Sequence, residues 1–87
     1  MSDFDRLRAR VTELDEQLVA TVNARIETVT ALVRHKREQG LPLFDPERED
    51  WLVEHLVRAS AGPLSPGAVE RLARFVLELT KEEAFVA

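Results

Sequence analysis

The sequence predicts an all-α protein of three helices, one of them very long, that pairs with a second copy of itself. Three observations lead there. Apolar residues recur every three or four positions from Phe4 to Val33, with no Gly or Pro between residues 3 and 39. No segment alternates apolar and polar residues as a half-buried strand does. And a chain of 87 residues is too short to cover a helix of that length.

The first helix starts at Ser2, with Asp5 three residues on in a variant of the capping box. Its stripe runs Phe4, Leu7, Val11, Leu14, Leu18, Val22, Ile26, Val29, Leu32 and Val33, and Gly40 and Pro42 end it. At 1.5 Å per residue this helix is roughly 55 Å long. A compact domain of this size has a radius of gyration near ~12 Å and a diameter near ~30 Å. The helix must overhang its own domain, so its stripe stays in water unless another chain covers it. Asp45 caps a second helix with Pro46 at the first position, where a missing N–H costs nothing. Leu52, Leu56 and Ala59 line one of its faces, and Gly62-Pro63 stops it. Ser65 caps a third helix in the same manner, with Val69, Leu72, Val76 and Leu79 as its stripe. Residues 1–87 read as a single domain.

Composition narrows the function. Charged residues are 32% and hydrophobic residues 45%, the balance of a folded chain rather than a disordered one. A net charge of −4, with basic residues interleaved among acids, argues against nucleic acid as a partner. No apolar run approaches the ~20 residues of a membrane span, and no signal-peptide core follows the acidic start, so a cytoplasmic protein is expected. There is no cysteine, hence no disulfide and no thiolate metal site. A Ser-His-Asp set, a Gly-rich phosphate loop and an HExxH motif are all missing, and His35 and His55 stand alone. Any catalysis should therefore use no metal, cofactor or nucleophile and rest on positioning and electrostatic complementarity.

Charges interrupt the first stripe. At 100° per residue, Arg25 follows Leu18 by seven positions and Lys36 follows Leu32 by four, so both cations point into the apolar face. Arg8 lies at its edge. Long stems can run along apolar surface to reach water, but two cations in mid-stripe call for an anionic partner. Asp45 and Glu49, in the segment LFDPERED, supply part of it, and a carboxylate ligand can supply the rest.

The segments LRARVTELDEQLVATVNARIETV (7–29) and HKREQGLPLFDPERE (35–49) resemble the AroQ class of chorismate mutase, the all-α type. The resemblance rests on Arg8 ahead of an LDxxL segment, Arg25 seventeen residues later, Lys36 eleven beyond that, and the DPERE opening of the second helix. It implies an intertwined homodimer with active sites shared between subunits, and rearrangement of chorismate to prephenate. It implies that Arg25 clamps a substrate carboxylate and that Arg8 reaches into the partner chain's site. Lys36 would donate to the breaking ether oxygen, Arg48 would support the carboxylate end, Glu49 with Asp45 would take the ring hydroxyl, and Thr80 stands where the family often has Ser. Four residues further on, the family usually places Gln or Glu toward the ether oxygen, and here that position is Ala84. Neighbouring Glu83 would serve instead, in its protonated form, if the third helix is rotated or shifted by a residue; if neither serves, Lys36 works alone and the rate is expected to be low. Two other readings stay open: a sister enzyme acting on 4-amino-4-deoxychorismate or isochorismate, and a catalytically weak dimerisation module. Docking onto another enzyme of the aromatic pathway is a further expectation drawn from relatives.

Overall fold

The computed structural model describes residues 2–85. Its elements are α1 (Asp3–Glu38), α2 (Pro46–Ala59) and α3 (Pro66–Ala84), with no strand among the described residues. Each helix begins where its cap dictates. The Ser2 hydroxyl oxygen accepts from the Asp5 N–H at 3.1 Å and donates to the Asp5 carboxylate at 2.9 Å. The Asp45 carboxylate accepts from the Arg48 N–H at 3.1 Å, and the Ser65 hydroxyl from the Ala68 N–H at 3.2 Å. At the other end of α1, Gly40 adopts φ +69°, which lets the Leu41 N–H reach back to the Lys36 carbonyl at 2.8 Å and the Gly40 N–H to Arg37 at 3.2 Å. This closure ends α1 and turns the chain toward α2, which packs against α3.

α3 is the element on which both others pack, and α1 projects past them. The molecule measures 57 × 26 × 17 Å with a radius of gyration of 16.3 Å, well above the ~12 Å of a compact chain this long. The overhang expected from helix length is present. From Asp3 to Thr21 every residue of α1 is exposed, and Phe4, Leu7, Val11, Leu14 and Leu18 each keep at least 45% of their surface in water. None of the helices is long and apolar enough to cross a membrane, among the described residues.

The core is small. Val53, Ala73 and Leu77 form its centre with Leu52 against them, and Val33, Val69 and Ala84 are also buried. No large side chain is fully buried among the described residues. The inward face of α3 is Val69, Ala73, Leu77, Thr80 and Ala84, rotated from the expected Val69, Leu72, Val76 and Leu79 stripe. The reason is packing within the chain: Ala73 and Leu77 meet Val53 of α2 and Ala84 meets Val33 of α1, while Leu72 and Val76 turn aside. They line an apolar groove of about 500 Å³ together with Leu18, Val22, Leu56 and Ala59. α2 repeats the pattern, burying Val53 within the chain and leaving Leu56 38% exposed at the groove. α2 also stops at Ala59, ahead of the expected Gly62-Pro63, because Ser60 leaves the helical conformation at ψ 127°.

Leu77 thus sits where all intrachain packing converges. Leu77→Ala should lower the free energy of unfolding by about 2–4 kcal/mol in denaturant titrations at fixed protein concentration. A loss under about 1 kcal/mol would place the core elsewhere.

Candidate active site

The second concavity lies where the C-terminal half of α1, the turn after it, the first turn of α2 and the last turns of α3 meet. It encloses about 310 Å³, at the lower end of the range for small-molecule sites. Val29, Leu32, Leu43, Leu52, Leu77 and Phe85 give it apolar walls. Arg25, Lys36, Arg48 and Lys81 supply four cations, and Asp45 and Glu49 two carboxylates.

Each charge is positioned by a nameable contact. Half-buried Arg25 donates from Nη1 to the Thr80 hydroxyl, which in turn donates to the Val76 carbonyl at 2.7 Å. The hydroxyl is thereby oriented to present a lone pair to the guanidinium, and the remaining Arg25 N–H groups stay available for a planar anion. Lys36 donates to the Leu43 carbonyl at 3.3 Å, so the turn that ends α1 also tethers the cation near its end. Arg48 lies on the first turn of α2 because Asp45 caps that helix. Its guanidinium sits 4.1 Å over the Trp51 ring, and Trp51 is stacked in turn on His55 at 4.8 Å. Glu49 reaches Lys81 across the cleft, with Nζ to Oε1 at 3.3 Å.

Of the residues expected from sequence, the fold brings together Arg25, Lys36, Asp45, Arg48, Glu49 and Thr80. Three lie elsewhere. Arg8 is on the overhang, 5.4 Å over the Phe4 ring, beside a shallow hollow lined by Leu7 and Val11. Ala84 is fully buried against Val33 on another side of α1. Glu83 is exposed and does not line the cleft. Glu83 lies two positions beyond Lys81, about 200° round the helix, while Ala84, one turn after Thr80, continues the buried face of α3 against Val33.

Lys81 is the residue that the sequence reading missed. It forms an i,i+3 pair with Glu78 at 3.3 Å, which alone reads as a surface pair near a helix end. A signal was available in retrospect: Lys81 follows Leu77 by four positions and so flanks the buried face of α3. Its ammonium also lies 4.6 Å over the Phe44 ring. Partial desolvation works against the Lys81 charge, but hydrogen bonds and attraction from Glu78 and Glu49 outweigh it and raise its pKa above the ordinary 10.5.

The class these features define is an all-α scaffold with a small, apolar-walled cleft that holds more cations than carboxylates, an arrangement complementary to an anion. The comparisons with known proteins narrow this class to a family. The chain belongs to the family described as chorismate mutase type II, whose profile matches residues 7–84. It is 34% identical over 85 residues to a bifunctional chorismate mutase/prephenate dehydratase of Pseudomonas aeruginosa, and 28% identical to its counterpart in Stutzerimonas stutzeri. The match covers 88% of this chain but 23% of each of those relatives. A 4-amino-4-deoxychorismate mutase of Streptomyces venezuelae is 32% identical over 60 residues, 69% of this chain and 58% of that one. Form II of a chorismate mutase from Thermus thermophilus superposes with a TM-score of 0.92 at 21% identity, covering 98% of this chain and 97% of that one. Form I gives 0.87 at 23%, covering 91% and 99%. At these identities the two structures establish the shared fold.

The raised pKa carries a linkage prediction. A lysine favoured in its charged form stabilises the fold fully below 10.5, and that stabilisation fades as pH rises through its folded-state value. The stability difference between the parent and Lys81→Met should therefore be flat between about pH 6 and 9 and shrink only above about pH 10.5 in denaturant titrations. A difference that changes across neutral pH would contradict the Lys81 pairing.

Proposed function

We propose that the protein is a chorismate mutase, acting as a homodimer whose sites mix two chains. The observation that carries the reading is the charge balance of the cleft: four cations against two carboxylates match a substrate with two carboxylates. Family membership supports the reaction. The rearrangement of chorismate to prephenate is intramolecular. One C–O bond breaks as one C–C bond forms, and no proton need be exchanged with the protein. The work left to the protein is to select a compact conformer and to stabilise negative charge growing on the ether oxygen.

In this reading Arg25 clamps one carboxylate through N–H groups not engaged by Thr80. Lys36 faces the ether oxygen and a nearby carboxylate, and its tether to Leu43 holds it in place before the substrate arrives. Arg48 attracts the carboxylate end, while Glu49 and Asp45 accept from the ring hydroxyl. Arg8 belongs to the cleft of the second chain, which the overhang of α1 supports: its stripe and the apolar groove beside Arg25 are the two surfaces that one chain leaves uncovered. Glu83 and Ala84 take no part on the substrate's side of α3, so Lys36 acts without a donor from either position.

The test follows the loss of the ultraviolet absorbance of chorismate. Parent protein at micromolar concentration should consume chorismate, and Arg25→Ala and Lys36→Ala should each lose about 100-fold or more in kcat/KM. Both variants should remain folded, because each removes a cation from a half-buried site without opening the core. No turnover by the parent would reject the reading.

A further inference from the structure

Lys81 is left over from the catalytic reading, yet it lines the cleft and contacts a residue central to it. Its Nζ lies 3.3 Å from Oε1 of Glu49, with side-chain exposures of 28% and 17%. Glu78 holds it from behind at 3.3 Å, and the face of the Phe44 ring lies 4.6 Å away. Three contacts from α2, α3 and the connecting turn therefore fix this ammonium beside the Glu49 carboxylate. The groups facing Glu49 decide what kind of donor that carboxylate accepts. A hydroxyl donates a hydrogen bond and brings no charge. An alkylammonium donates too, but seated against the free Glu49 oxygen it would come within about 5–6 Å of the Lys81 ammonium.

Resting on the proposed function, we infer that Lys81 is a specificity-determining residue that makes the cleft favour a neutral hydroxyl over a cationic ammonium on the substrate carbon facing Glu49. The overall charge points the same way. An excess of two positive charges is neutralised by a hydroxylated dicarboxylate. An amino-dicarboxylate, with its amine protonated near neutral pH, carries only one net negative charge and leaves the cleft unbalanced. Lys81 acts through Glu49 and through the local field, without contact with the reacting atoms.

The experiment compares kcat/KM for chorismate and for 4-amino-4-deoxychorismate in the parent, Lys81→Met and Lys81→Arg. The parent should prefer chorismate. Lys81→Met should shift the ratio toward the amino substrate by about tenfold. Lys81→Arg, which keeps the charge, should hold the parental ratio. A general loss of structure in Lys81→Met would lower both rates together, so the ratio reads the local charge. An unchanged ratio in Lys81→Met, or a parent that prefers the amino substrate, overturns the inference while leaving a mutase function in place. A parent that turns over neither substrate rejects the proposed function, and the inference falls with it.

Discussion

One constraint governs this molecule: α1 spans 36 residues, while α2 and α3 together reach only part of its length. A helix so long cannot be covered by the rest of its own chain. Its first five turns carry an apolar stripe into water, and the surface of α3 beside its middle is equally apolar and equally open. Hydrophobic surface on this scale favours association. The small intrachain core has the same cause, because Leu56, Leu72 and Val76 face the groove rather than the interior.

The charged cleft follows from the same arrangement. Arg25 borders both the apolar groove and the polar cleft, so the place where another helix would pack is also where a guanidinium is held half-buried. Apolar walls line the cleft on one side, and in the proposed dimer a second chain filling the groove would limit water on the other. Electrostatic stabilisation of a transition state gains strength as the local dielectric falls. In the proposed function, association and catalysis draw on one geometry. The helix ends contribute the rest: the closure at Gly40 brings the Leu43 carbonyl to Lys36, and the Asp45 cap puts Arg48 and Glu49 on the opposite rim.

Much of this was legible in the sequence, because it is local. Ser2, Asp45 and Ser65 announced their helices as caps, and Gly40 with Pro42 announced the end of the first. The length of α1 and the two cations in its stripe needed only counting. What was not legible is long-range. The hydrophobic period of α3 gave a stripe through Leu72 and Val76, but not the face that packs within the chain. That choice depends on which residues of α1 and α2, Val33 and Val53 among them, meet Ala73, Leu77 and Ala84. Lys81 was hidden for a similar reason. Its sequence neighbour Glu78 makes it look like a solvent pair, and only the return of α2 brings Glu49 to its other side. The expected role of Glu83 depended on a rotation of α3, and within one chain Thr80 and Ala84 are buried while Glu83 is exposed.

The central claim is that α1 carries Arg8 out of its own cleft to complete that of a second chain. Arg8→Ala and Arg25→Ala proteins, each nearly inactive on chorismate, can be mixed, dissociated and allowed to reassociate. Half of the resulting dimers would contain one chain of each kind, and each of these would hold one site with both arginines intact. The account predicts recovery to roughly a quarter of parental activity. A mixture no more active than its two components would contradict it.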